Sequence, residues 1–284
     1  MAKYRYTTAI IGLGLMGGSL AYALRGFQDG LITGYDTDRD VMRRALRLGA
    51  IDCAAETLEQ AVGDADLVMY CSSPQSIQTN MLHSFPHLKP GAVVSDICGV
   101  KKDILALAAE HLPPHIHYVG LHPMAGKEVG GFDNAEARLF KGAGFILVLP
   151  ENCAQSAIDM LTALSRYVGA GRVVVNHANE HDAIIAYSSD LMHISAAALC
   201  ADYPPSITMA HTAGAFRDCT RIAKIDAALW TELLSANAYN ILPELKRYIA
   251  TLERYAEALQ SGDQTTLYEM LETANQNKAS ILSL

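Results

Sequence analysis

One heptapeptide, His122-Pro123-Met124-Ala125-Gly126-Lys127-Glu128, gathers a histidine, a backbone-fixing proline, a small-residue turn and a Lys/Glu pair. It follows the apolar run Tyr118-Val119-Gly120-Leu121, so it is expected where a strand of an α/β sheet ends and a ligand crevice opens. A histidine in that position can take a proton near neutral pH. A loop histidine bonded to a carbonyl is the plainer reading of the segment alone. It gives way to what surrounds the segment.

The second constellation is Gly12-Leu13-Gly14-Leu15-Met16-Gly17-Gly18, a G-x-G-x-x-G run between an expected strand and an expected helix. Such runs arise by chance in glycine-rich loops. Here strand, loop, helix and second strand fall at the spacing of a dinucleotide site. Gly12 serves the tight turn, Gly14 lets backbone approach a pyrophosphate, and Gly17 lets helix and strand pack closely. With Leu13, Leu15 and Met16 between them, these residues are the expected cofactor loop, and the helix N-terminus adds amides and partial positive charge. Asp36 ends the second strand, where a carboxylate accepts ribose hydroxyls and repels a 2′-phosphate, so NAD is expected over NADP. Arg39, just beyond, is the opposing feature. Ser72-Ser73-Pro74, after a strand at 67–71, is expected to pass the middle of the cofactor.

To hold these groups together the chain needs a sheet, and the first half supplies one. Strands are expected at 8–12, 31–35, 67–71, 92–96, 117–121, 144–149 and 172–175, with helices such as 17–25 and 38–48 between the early ones. That rhythm predicts an α/β, Rossmann-type doubly wound, mostly parallel sheet over residues 1–176. Residues 177–284 carry helical stretches at 181–200, 230–260 and 264–281, an all-helical second domain for substrate binding and dimerisation. Ala183-Ile184-Ile185-Ala186 is apolar on more than one side, which calls for a covering partner. A homodimer through this half is expected.

Composition narrows the rest. The chain has 284 residues, half of them hydrophobic, enough for a large core. Its net charge of −8 argues against nucleic acid, which wants a basic patch. An anionic small-molecule substrate would therefore need a local cluster of cations. No signal-peptide core is visible, and no apolar run is read as long enough to cross a membrane. Six scattered cysteines fit reduced, mostly buried thiols of a cytoplasmic enzyme. No regulatory domain after Ser261 and no fused catalytic domain before residue 7 are expected.

Six blocks occur in one order: 12–19, Ser95-Asp96-Ile97-Cys98-Gly99-Val100-Lys101, 122–128, His181-Asp182, 189–193 and Phe216-Arg217-Asp218-Cys219-Thr220-Arg221-Ile222-Ala223. Together they resemble the prephenate/arogenate dehydrogenases of tyrosine biosynthesis, the TyrA family, over nearly the whole chain. The resemblance implies NAD-dependent oxidative decarboxylation: a hydride leaves the ring carbon bearing the 4-hydroxyl, carbon dioxide departs, and the ring becomes aromatic. It assigns His122 as the group that takes the hydroxyl proton. It gives Arg221 the substrate carboxylate, for which a planar guanidinium fork is suited. His193, Ser189, Lys127, Glu128 and Gly214 match further substrate-pocket positions, and Trp230 is placed over the pocket.

Two departures bear on the substrate. A serine of the family's S-D-V-G-S-V-K block, which orients the catalytic histidine and the substrate hydroxyl, is Gly99 here; Gly99 also flanks the cofactor. The family's S-H-L-P-H block reads Ser189-Asp190-Leu191-Met192-His193, so Asp190 adds negative charge beside a pocket meant for a dianion. A substrate with an ammonium group, such as arogenate, answers that charge. Other readings are a β-hydroxyacid or imine reductase, which would use a lysine from the helical half, and an NAD-binding sensor that has lost catalysis. His177-Ala178-Asn179-Glu180-His181 fits an inverted zinc-protease pattern. It straddles the expected domain join, so no metal is expected and His181-Asp182 is read as a structural or helix-start pair.

Overall fold

The computed structural model describes residues 6–282. Its first half runs β1 (Thr7–Ile11), α1 (Leu15–Ala23), β2 (Leu31–Tyr35), α2 (Arg39–Arg47), β3 (Cys53–Ala54), α3 (Leu58–Gly63), β4 (Leu67–Tyr70), α4 (Pro74–Ser84), β5 (Val93–Asp96), α5 (Lys102–His111) and β6 (His117–Tyr118). These six strands form one parallel sheet in the order β3-β2-β1-β4-β5-β6. That is the order of a dinucleotide-binding doubly wound fold, with its switch point between β1 and β4. Alternate residues of β1 feed opposite faces: Ile10 joins one buried apolar cluster, Ala9 and Ile11 the other. All four residues of β4 are buried, as a central parallel strand covered on both faces requires.

Register explains why distant residues meet. Ile11 pairs with both Tyr35 and Tyr70, and Tyr70 pairs with Asp96. The next residues along, Gly12, Asp36, Cys71 and Ile97, therefore leave the sheet side by side at its carboxyl edge.

The run at 117–121 is not one strand. It divides at Val119, and β7 (Gly120–Pro123) leaves the parallel sheet to pair antiparallel with β8 (Gly144–Leu149), which pairs parallel with β9 (Arg172–His177). The last expected strands thus build a separate three-stranded sheet rather than extending the first. Buried Lys101 lies at the division: its Nζ donates to Leu121 O at 2.8 Å and pairs with Asp96, and a Cβ on Gly120 would stand 3.1 Å from its Cδ. His122 consequently sits within β7, opposite Ile146, rather than in a loop after the strand.

α6 (Gln155–Tyr167) precedes β9. Then α7 (Ala178–Ile185) and α8 (Leu191–Ala201) run on through a π-helical turn, Ala186–Asp190, followed by α9 (Gly214–Thr220) and α10 (Ala227–Ala236). The continuous helix Ala178–Ala201 holds an 18-residue window of mean hydropathy 1.3, so by length and composition it could span a membrane, contrary to the sequence reading. Its His181, Asp182 and Asp190 are buried among protein hydrogen-bond partners, while Ile184, Tyr187, Met192 and Leu199 are exposed. Backbone contacts gather the chain up to Asn237 into one compact unit. The second unit is α11 (Ala238–Ser261) and α12 (Gln264–Leu282), joined through Gly262 at φ +68° with Asp263 Oδ1 accepting from Thr266 N.

Of the six cysteines, all unpaired, only Cys71 and Cys98 are buried; Cys53 and Cys219 are exposed, which corrects the expectation of mostly buried thiols.

Candidate active site

At the carboxyl edge of the parallel sheet lies a cavity of about 720 Å³. Gly14, Leu15, Met16, Ser72, Ser73, Pro74 and Gly99 line it toward the sheet, and His122, Lys127, Glu128, Ser189, His193, Arg221 and Trp230 line the rest. A neighbouring cavity of about 500 Å³ shares Gly14, Ser72 and Ser73 and reaches Gly12 and Asp36. Of the residues singled out from sequence, Leu13 and Gly17 are buried behind the loop, and Gly214, exposed at the start of α9, lines neither cavity.

The glycine loop is shaped for a ligand. Gly12 has φ +95°, and a Cβ there would meet Cys71 O at 2.8 Å; on Gly17 it would meet Gly12 O at 1.9 Å. Above Gly14 a Cβ meets nothing within 4 Å. Helix α1 begins there with no side-chain cap, unlike α2 and α10, which Asp38 and Asp226 cap. Its first amides are left for an anion. Asp36 accepts from Leu13 N at 2.7 Å and from Asp38 N at 2.9 Å, which fixes its carboxylate and leaves lone pairs for hydroxyls. Ser72 Oγ is buried without a hydrogen-bond partner, a donor waiting between the two cavities. These features fit a dinucleotide.

Across the cavity, three residues from two elements form a chain. His122 Nδ1 lies 2.9 Å from His181 Nε2, and His181 Nδ1 lies 2.7 Å from Asp182 Oδ1. Asp182 is held by the start of α5: its Oδ1 accepts from Lys101 N and its Oδ2 from Lys102 N, each at 2.9 Å. A carboxylate only accepts, so His181 donates from Nδ1; as a neutral ring it then accepts at Nε2 a hydrogen bond from His122 Nδ1–H. The remaining lone pair, on His122 Nε2, faces Gly99, where a Cβ would stand 3.8 Å away. Burial, then His181, then Lys101 hold the His122 imidazolium well below the usual histidine range, so the ring is a neutral acceptor at physiological pH. Cys71 and Cys98 also line the cavity, but burial pushes both thiols up, Cys98 to about 12, and neither is a nucleophile near neutrality.

The far wall carries the charges. Arg221 is ion-paired to Glu128 across the cavity mouth, and both remain exposed. Lys127 turns aside to Glu136 Oε1 at 2.9 Å and Asn134 O at 3.0 Å. His193 donates from Nδ1 to Ser189 O at 3.0 Å and stacks on Trp230, ring centroids 3.7 Å apart. Burial lowers its pKa, with Ser189 opposing and Arg221 assisting, so it too offers a neutral acceptor. Asp190 is buried, and its Oδ2 accepts from Asn237 Nδ2 at 2.8 Å.

Sequence reasoning took His181-Asp182 for a structural or helix-start pair and did not link it to His122; it gave Lys101 no role of its own and did not single out Asn237. The zinc-type pattern has no metal geometry: His181 is turned to His122, and no group of three potential ligands gathers among the described residues.

Comparison with known proteins agrees with the geometry. Residues 20–175 match the model of the prephenate dehydrogenase nucleotide-binding domain, and 177–273 that of the prephenate dehydrogenase dimerization domain. The chain is 33% identical to a cyclohexadienyl dehydrogenase of Zymomonas mobilis over 92% of this chain and 91% of that one. It is 30% identical to a prephenate dehydrogenase of Bacillus subtilis over 96% and 76%. Among solved structures, Aquifex aeolicus prephenate dehydrogenase in complex with hydroxyphenyl propionate and NAD+ superposes with a TM-score of 0.86 at 26% identity, covering 99% of this chain and all of that one. Synechocystis arogenate dehydrogenase gives a TM-score of 0.81 at 25% identity over 97% and 99%. The chain belongs to the prephenate dehydrogenase family.

Proposed function

We propose that this chain converts prephenate to 4-hydroxyphenylpyruvate with NAD, an oxidative decarboxylation in tyrosine biosynthesis. The observation that carries the reading is His122, bonded through Nδ1 to the His181–Asp182 pair and lining a cavity bounded by a dinucleotide loop and by Arg221. Bound NAD supplies the hydride acceptor. The loop 12–17 and the uncapped start of α1 would hold its pyrophosphate, Asp36 its ribose hydroxyls, and Ser72 a group between. His122 would take the proton of the substrate's 4-hydroxyl, which raises electron density at the carbon losing hydride. Arg221, released from Glu128, would pair bidentately with a substrate carboxylate. His193, Ser189 and Trp230 would enclose the ring, with Lys127 and Glu128 shaping the mouth.

A second reading keeps the chemistry and changes the substrate. Asp190 lines the cavity as an uncompensated carboxylate, and arogenate brings an ammonium group where prephenate brings a keto oxygen. The domain reading is a dinucleotide domain over 1–176 and a substrate and dimerisation domain over 177–284. The same reading makes the protein a cytoplasmic homodimer. Tyr239, Leu259, Tyr268 and Leu271 stand exposed on α11 and α12, apolar surface that a second copy would cover.

A spectrophotometric assay crossing prephenate and arogenate with NAD and NADP tests the activity and its substrate. Reduced NAD formed with prephenate is expected. Turnover of arogenate alone moves the assignment to the second reading. Thermal stabilisation by NAD with no turnover of either acid makes the chain a sensor and ends the enzymatic one.

A further inference from the structure

Building on the assignment of His122 as the base, we infer that His181 is a positioning residue of the reaction: it fixes which nitrogen of His122 is free to accept the proton. Its ring is fully buried on α7 and is bonded at both nitrogens, to His122 on one side and Asp182 on the other. The two rings meet edge to face, centroids 5.1 Å apart at 65°. Asp182 is not oriented by His181 alone, because the amides of Lys101 and Lys102 already hold both of its oxygens. The direction of the chain is therefore set from α5 outward to the cavity.

On its other flank His122 faces Gly99, which has no side chain to bond it. A neutral imidazole without a partner on Nδ1 divides itself between two tautomers, and in one of them Nε2 carries the proton and cannot act as base. With a neutral His181 in place, which donates from Nδ1 to Asp182, the useful tautomer of His122 is the one that satisfies both bonds. The same line handles the proton once taken. His122 Nε2 gains the substrate's hydroxyl proton; the Nδ1 proton can pass to His181 Nε2, leaving His122 neutral and the positive charge on His181 beside the Asp182 carboxylate. Of the other charges nearby, Lys101 is ion-paired with Asp96 from the β5–α5 segment, and Asp190 of the π turn accepts a hydrogen bond from the neutral amide of Asn237 at the end of α10.

The test compares His181→Leu with His181→Gln, whose amide oxygen can still accept from Nδ1–H. Ring ¹⁵N spectra of the protein without cofactor, with the His122 signals identified by their loss in His122→Asn, should show Nδ1 protonated and Nε2 bare in the parent. In His181→Leu the signals should move to a mixture, and in His181→Gln they should return. Turnover should follow, kcat falling about tenfold to a hundredfold in the leucine variant with a displaced acid limb, and recovering in the glutamine variant. A His122 that keeps one tautomer in His181→Leu overturns the inference. So does an equal loss of kcat in both variants with an unmoved pH profile. Should the leucine variant fail to fold, the glutamine variant decides alone: parent-like spectra and pH profile support the inference, and a protonated Nε2 sinks it. Tautomer switching in a protein that turns over neither substrate supports the positioning role and overturns the proposed activity.

Discussion

The two ends of the cavity are built by different means. The cofactor end comes from one contiguous loop, 12–17, and the residues that β-register brings level with it, Asp36 and Ser72. The catalytic end is assembled from β7, the start of α5 and the buried face of α7, three elements that meet only through packing. At the first end the backbone does the work, so a glycine is required at Gly12 by its φ and at Gly17 by a 1.9 Å approach. At the second end side chains work through one another. A backbone site should therefore lose function through shape, and a relay site through loss of any single proton donor or acceptor.

The sharpest break in that contrast is His122→Asn. Removal of a general base typically costs 10²–10⁴-fold, and a drop of about that size in kcat is expected while NAD still stabilises the protein against heat. In the parent the acid limb of kcat/KM should lie below the ordinary histidine range, because burial lowers the His122 pKa and the base form survives to lower pH. Wild-type turnover in the variant would remove His122 from the chemistry. Next comes Arg221→Gln. The loss of one charge-assisted pair, on the order of 1.5–3 kcal/mol, should raise the substrate KM by about ten- to a hundredfold with kcat much less affected. A KM that does not move would mean that the ion pair with Glu128 is the whole of Arg221's role.

The same contrast explains what sequence could disclose. The glycine loop and Asp36 were legible because their chemistry is local: spacing in the chain is spacing in space. His122 was legible through its flanking motif, although its place inside β7, opposite Ile146, was not, because the break at Val119 depends on Lys101 arriving from another segment. His181 was read as a structural pair with Asp182. The Asp182 half of that reading stands in its caps on α5, but nothing local shows that the other ring nitrogen reaches a residue 59 positions away. The π turn at Ala186–Asp190, which places Ser189 and Asp190 on the cavity wall, likewise has no local signal in the sequence.

A smaller effect is expected at the cofactor end. Asp36→Ala should reduce the preference for NAD over NADP by about tenfold, the worth of one hydrogen-bonded carboxylate at roughly 1.5 kcal/mol. Leu13 N would also lose its partner, so some weakening of both cofactors should accompany the change. Kinetics with the two dinucleotides measure it directly. A parent enzyme that already favours NADP would make Arg39, not Asp36, the deciding residue.

Smallest, and most specific to the catalytic end, is the buried carboxyl of Asp190. Burial pushes it up to about 6, the Asn237 amide opposing and the Asp182 charge assisting. Between its ordinary value near 4 and that raised one, the folded chain holds a proton that the unfolded chain has released. Its contribution to stability is thus full at low pH and falls as pH rises toward and through 6. Above that range the ionised, buried carboxylate is a burden, and Asp190→Asn keeps the Asn237 bond while removing the charge. Part of the relief is lost to burying an amide, leaving a gain on the order of 1 kcal/mol, or about 2–4 °C in Tm, at pH 8. The gain should fade in melts at pH 5. The same variant separates the two substrates, because it removes the partner of an ammonium group: a raised KM for arogenate with an unchanged KM for prephenate would show that Asp190 reads the amine. Equal effects on both would leave it a buried acid that the π turn and Asn237 hold in place.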